Sequence, residues 1–244
     1  MYHGKDALAL QLAQTYRQGM KLYRFRYSPY ARKVQMLLDL LGQKYELIEQ
    51  SYSERGELAE LTGGYIQVPV LLTDDGRAIV ESRAICEYLL AGAAGGALVP
   101  APLEGPIWGY ADFVDGPLED VLFRIASPEI REAWPSAAER GLYVYIKERK
   151  FGAGCVDAWL RDRPALVQRA RAMLAPTLKT LEKCPFLFGD RATLADAALY
   201  GNCAMLEEAA PQLLVQISGA LPGYARRVEA SVPGRVFGSA SAGR

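Results

Sequence analysis

The chain has 244 residues, half of them apolar, and 28 basic side chains balance 28 acidic ones around a mean hydropathy near zero. That length holds two domains of roughly 100 residues, each with a real core. The charge balance excludes a field that would steer the protein to nucleic acid or to an anionic membrane, so the partners to expect are small molecules and a second copy of the chain.

Residues 1–19 read as an extension whose apolar run, Ala7-Leu8-Ala9-Leu10, is broken by Gln11 and Gln14. It is too short for a membrane span or a secretory signal, and is expected as a helix without assigned chemistry. It holds His3, the only histidine, which excludes histidine triads and most zinc sites. Residues 21–25 form an expected strand, and a helix over 31–41 follows, with Ser28 as N-cap and Pro29 at the first helical position. A helix N-terminus carries roughly half an elementary positive charge and several unpaired N–H groups, which favours an anion such as a thiolate beside the Ser28 hydroxyl. The same Ser-Pro pair also serves as a plain cap.

A second strand over 43–49 completes a strand–helix–strand unit, which implies a right-handed parallel crossover. A short helix near 54–61 comes next, then an antiparallel hairpin of 67–72 and 77–80 turning at Asp74-Asp75-Gly76. Pro69 opens its first strand, as an edge marker or as a cis proline that turns the preceding backbone toward a ligand. A helix beginning at Glu81 makes a second anion site: the Ser82 hydroxyl and N–H suit a carboxylate and Glu81 an ammonium, or the pair simply caps the helix. Residues 92–103, all Gly, Ala, Pro, Leu and Val, are the expected linker.

Beyond the linker only helical patterns occur. Ile107, Val114, Leu118, Val121 and Ile125 mark one face of a helix expected to kink at Gly116-Pro117, and further helices are expected near 134–150, 155–183, 193–210 and 221–231, with Pro164 and Pro176 as bends or restarts. Thr193 and Asp196 form a capping box, which belongs to folding and not to catalysis. Residues 233–244 read as a loose tail. Cys86, Cys155, Cys184 and Cys203, without C-x-x-C or metal spacing, are expected as buried thiols in a reducing cytoplasm.

Ser28-Pro29-Tyr30-Ala31, Val68-Pro69, Glu81-Ser82 and Thr193-Leu194-Ala195-Asp196 after Gly189-Asp190, in this order, resemble the cytosolic glutathione transferases over roughly residues 20–230. The resemblance implies a thioredoxin-like domain with a mixed four-stranded sheet over 20–91 and an all-helical domain over 104–232. It further implies that Ser28 contacts the glutathione sulfur, that Val68 before a cis Pro69 pairs with the tripeptide backbone with Gln67 beside it, and that Glu81 and Ser82 hold the γ-glutamyl end. Tyr27 is a second candidate for the sulfur contact, and Tyr30, Tyr110 and Phe113 are assigned to the substrate pocket. Where glutaredoxins carry Cys-Pro-Tyr-Cys, this chain has Ser28 and Ala31, so exchange through a protein cysteine is disfavoured there. The frame looks like bacterial serine-type enzymes, which conjugate glutathione to small hydrophobic electrophiles or use it in ether cleavage, dehalogenation or isomerisation. Glutathione is then a co-substrate, no metal is needed, and a homodimer is implied. The competing readings are a non-catalytic glutathione-binding or interaction module on the same fold, and a glutathione-dependent disulfide reductase.

Overall fold

The computed structural model describes residues 19–92 and 94–234; most of the extension, and the tail beyond Gly234, lie outside the described residues. The first half alternates: β1 (Met20–Arg24), α1 (Pro29–Leu40), β2 (Tyr45–Glu49), α2 (Gly56–Thr62), β3 (Val70–Leu72), β4 (Ala78–Val80) and α3 (Ser82–Leu90). The sheet order is β2-β1-β3-β4, with β1 parallel to β2 and antiparallel to β3, and β4 antiparallel to β3. Leu22 pairs with half-buried Leu47 on one side and with Leu71 on the other, and Leu22 and Leu71 are fully buried. The Val68–Pro69 bond is cis, which decides between the two sequence alternatives for Pro69.

The second half is helical: α4 (Gly95–Leu98), a 3₁₀ turn (Ala101–Leu103), α5 (Glu104–Phe113), a π-turn (Val114–Leu118), α6 (Glu119–Ala133), α7 (Ala137–Phe151), α8 (Cys155–Arg161), α9 (Arg163–Leu181), α10 (Leu194–Ala209), α11 (Pro211–Ile217) and α12 (Leu221–Ala230). The kink expected at Gly116-Pro117 is this π-turn. Pro117 has no N–H to give to the carbonyl four residues back, and the chain accommodates the loss by widening one turn.

Within residues 92–103 Leu98 is buried, and a Cβ at Gly95 would lie 1.9 Å from the Leu90 carbonyl oxygen, so the glycine lets α4 fold back onto α3. The helical stretch over 155–183 breaks at Asp162 and restarts with Pro164 in its first turn, one of the two prolines expected to bend or restart it, and Pro211 opens a further helix, α11, held by buried Leu213, Leu214 and Ile217. The expectation of four buried thiols is corrected at Cys184, which is half-buried, whereas the other three cysteines are buried; all four are free.

At the centre lies α10, whose residues from Leu194 to Leu206 are all buried, as a helix without a solvent face must be. It is rich in alanine and packs against α1. A Cβ at Gly201 would sit 2.3 Å from the Pro29 carbonyl oxygen and 2.9 Å from the Lys33 nitrogen, so the two helices meet backbone to backbone. One buried cluster therefore joins Leu22, Val34 and Leu38 of the sheet half to Ile107, Leu122, Leu199 and Met205 of the helical half. Among the described residues no helix is long and apolar enough to cross a membrane.

Candidate active site

The turn between β1 and α1 presents Ser28. Its N–H donates to the Phe25 carbonyl at 3.0 Å, its extended backbone (φ −81°, ψ 113°) ends the turn, and its hydroxyl oxygen accepts from the Ala31 N–H at 3.2 Å. Pro29 follows in the first helical turn. The cap uses a lone pair of the hydroxyl and leaves its proton for an acceptor in front of the helix.

That front is a cleft of about 810 Å³, within the ordinary size of a small-molecule site. Of the residues singled out in the sequence, Tyr27, Ser28, Tyr30, Gln67 and Val68 line its sheet side together. Pro69, Glu81 and Ser82 are not part of this lining; they flank it, because β3 and β4 pair Val70 with Val80 and so set Glu81 across from Pro69. Glu81 is the one non-glycine among the described residues with positive φ (70°), and its carboxylate accepts from the Tyr65 hydroxyl at 2.8 Å. Such a backbone costs about 1 kcal/mol and persists where surrounding contacts impose it. Ser82 is buried and its hydroxyl oxygen accepts from Lys33 Nζ at 3.0 Å, which leaves the Ser82 proton to donate outward. Lys33, 2% exposed, also pairs with Asp115 in the π-turn, and the Tyr30 hydroxyl donates to the Asp115 carbonyl at 2.9 Å. The two helix N-termini and the π-turn are thus tied through one buried ammonium.

Tyr110 and Phe113 do not reach the cleft. Their rings lie 5.8 Å apart, Tyr110 stands edge-on to Phe188 at 6.3 Å, and its hydroxyl shares a 2.8 Å hydrogen bond with Thr177 of α9. They belong to the packing between α5 and α9. The helical wall comes instead from residues the sequence analysis did not single out: Glu119 and Phe123 of α6, Trp134 after it, and Tyr143, Lys147 and Lys150 of α7. Trp134 is the keystone, with Tyr52 at 4.6 Å, Tyr27 at 5.7 Å and Phe25 at 5.8 Å. Arg55 was also missed: it stacks on Phe25 and Tyr52 and donates to the carbonyls of Tyr52 and Ile66, which places a cation at the mouth beside Gln67.

Burial governs the titration of these groups. It raises the Tyr27 and Tyr30 phenols, so both stay protonated at neutral pH, and it pushes Glu119 up to about 7. Lys147 is lowered to about 8, by burial first and Lys150 second. Burial also lifts Cys86 to about 11 and Cys203 to about 12, which makes them poor thiolates. For Glu119 the folded chain holds its proton above the ordinary value of 4.5, so stability is full below that value and falls as pH rises through about 7. Urea midpoints of Glu119→Gln measured across this window are expected to show a shallower decline than the wild type; parallel curves would refute the assignment.

Two family models meet this geometry. The glutathione S-transferase N-terminal domain matches residues 22–96, and the glutathione S-transferase C-terminal domain matches residues 164–226. The chain belongs to the glutathione S-transferase family. A probable glutathione S-transferase of Nicotiana tabacum is 39% identical over 71 residues, covering 29% of this chain and 31% of that protein. Glutathione S-transferase U2 of Arabidopsis thaliana is 32% identical over 134 residues, covering 54% of this chain and 55% of that protein. The chain thus spans from about a third to about half of these curated relatives. Among solved structures, glutathione transferase GSTFuA3 of Phanerochaete chrysosporium superposes with a TM-score of 0.72 at 17% identity, over 90% of this chain and 99% of that one. Glutaredoxin 2 of Salmonella typhimurium, in complex with glutathione, gives 0.63 at 20% identity, over 87% and 98%. These structures share the fold: a thioredoxin-like sheet half followed by a helical half. The glutathione S-transferase matches cover the sheet side of the cleft and α10, while the helical wall from Glu119 to Phe151 lies between them.

Proposed function

We propose that this chain is a serine-type glutathione transferase that ionises the glutathione thiol at Ser28 and delivers the thiolate to an electrophile against the α6–α7 wall. The observation that carries this reading is the capped Ser28 hydroxyl at the N-terminus of α1, opening into a cleft beside Val68. In this reading the Val68 backbone pairs with the extended tripeptide beside Gln67, Ser82 donates to the γ-glutamyl carboxylate, Glu81 takes its ammonium, and Arg55 meets the glycine carboxylate. A cysteine thiol near pKa 8.5 must be lowered by about two units to be mostly ionised at neutral pH, which needs roughly 2.7 kcal/mol of preferential thiolate binding. One hydroxyl donor and a helix N-terminus supply that amount. Ser28 is preferred to Tyr27 because its hydroxyl stands at the N-cap of α1 with the proton uncommitted, whereas the Tyr27 ring is buried beside Trp134. The thiol proton leaves to solvent, and the sulfur forms its bond as the leaving group departs with its electrons. Conjugation, ether cleavage, dehalogenation and isomerisation all start from this thiolate. Four free cysteines agree with a reducing cytoplasm, and the family habit of two-fold pairing makes a homodimer the expected assembly.

Ser28→Ala is expected to cut aryl halide conjugation about tenfold or more while glutathione affinity changes little, since the lost hydrogen bond acts on the ionised sulfur. Ultraviolet titration of bound glutathione at the thiolate band checks the same point: the wild-type curve should lie below that of the free peptide. Retention of glutathione with no turnover on a panel of electrophiles would favour the non-catalytic binding module instead.

A further inference from the structure

The helical side of the cleft carries two ammonium groups, Lys147 and Lys150, whose positive charge is opposed only in part, by the field of Glu119. Of its two acids, Asp120 is held by Arg124 at 2.7 Å, and Glu119 is kept partly protonated by burial. Arg55, across the cleft, is anchored by two carbonyls and two rings on the sheet side, where the transferase reading gives it the glycine carboxylate. Lys147 and Lys150 sit three residues apart on α7 and both line the cleft. Lys147 Nζ lies 4.7 Å from the Phe123 ring centroid and 5.0 Å from that of Tyr143, and Lys150 Nζ lies 5.0 Å from that of Phe151. Among the described residues neither ammonium has a carboxylate within 4.0 Å. An ammonium withdrawn from water onto aromatic faces recovers only part of its hydration, and the downward displacement of Lys147 reports that deficit. An anion arriving beside it would restore what burial removed.

We propose that the second substrate is a planar aromatic acid, its ring against Phe123 and Tyr143 and its carboxylate on Lys147, with Lys150 as the outer cation. The chemistry rests on the transferase reading: the glutathione sulfur bonds to the ring carbon bearing a halide, the carbon–halogen bond breaks with its electrons on the halide, and the thiol proton goes to solvent. The binding preference does not rest on that reading. Within the transferase reading both carboxylates of the tripeptide are assigned to the sheet side, which leaves Lys147 and Lys150 for the electrophile.

The test is calorimetric titration, at neutral pH and without glutathione, of a chloronitrobenzoate with adjacent chloride and nitro groups and of its uncharged amide. The intact protein should bind the acid about tenfold tighter than the amide, the value of one charge-assisted contact. That preference should fall to about twofold or less in Lys147→Met with Lys150→Met, and return in Lys147→Arg, which keeps charge and stem. Equal binding of the two rings by the intact protein, or a preference that survives the double substitution, would overturn the proposal. Turnover with glutathione separates the two readings. Preferential binding of the acid with no turnover of either ring or of the electrophile panel would refute the transferase and leave the anion site standing; reaction of both rings without preference would do the reverse.

Discussion

Gly201→Ala is expected to destabilise the protein by about 3 kcal/mol, against the direction helix propensity dictates. In an open helix the change from glycine to alanine gains up to about 1 kcal/mol. At Gly201 the new methyl would lie 2.3 Å from the Pro29 carbonyl oxygen and 2.9 Å from the Lys33 nitrogen, both backbone atoms of α1, so no side-chain rotation relieves it. The helices must part, and the layer between sheet and helical half loses its packing. The steric cost exceeds the propensity gain, and because α1 also carries Ser28 and Lys33, catalysis should fall with stability. The matched control is Gly141→Ala in α7, exposed and with no atom within 4 Å of the added methyl, which should stabilise modestly. Urea unfolding of both variants decides the matter. A Gly201→Ala protein as stable as the wild type would show that α1 and α10 do not touch at this point.

Asp196→Ala is expected to cost about 4 kcal/mol, the upper range for a single substitution. Its carboxylate is fully buried and accepts four hydrogen bonds: from the Leu187 N–H at 3.0 Å, the Thr193 N–H at 2.9 Å, the Thr193 hydroxyl at 2.8 Å and the Tyr224 hydroxyl at 2.9 Å. Removal strands four donors, and an unpaired buried donor costs about 1–3 kcal/mol. Leu187 N–H and Tyr224 are the most exposed to this loss, because the loop before α10 and the face of α12 both close on the same side chain. Asp196→Asn should lie between, since its amide N–H₂ would face the Thr193 N–H donor. Thermal unfolding that found Asp196→Ala within 1 kcal/mol of the wild type would demote the carboxylate to an ordinary helix cap.

Local rules made these two sites unequal in sequence. The Thr193–Asp196 box and the Ser28–Pro29 cap were legible because each is complete within four residues, and the apolar face from Ile107 to Ile125 was legible because burial on one side enforces its spacing. The closeness at Gly201 was not, since a glycine in a helix pattern says nothing of which backbone passes it. The cleft wall failed for a related reason. Tyr143, Ile146, Lys147 and Lys150 follow the i, i+3, i+4, i+7 stripe of an amphipathic helix, yet two lysines in that stripe make it read as a solvated face. Tyr110 and Phe113 were chosen for aromatic character, and Thr177 and Phe188, more than sixty residues away, determine what they pack on. Periodicity identifies the face that is covered; it does not name the cover.

The π-turn after Phe113 divides labour along a single rod. Upstream of it, Arg83 stacks on Trp108 at 3.8 Å and bonds Asp112 at 2.6 Å, and within it Asp115 clasps Lys33, so that segment is tied to the sheet half. Downstream, α6 turns one face to the core and offers Glu119, Asp120 and Phe123 to the cleft. Such a joint would let substitutions on the open face of α6 alter what the cleft admits while the clasp between the two halves stays as it is.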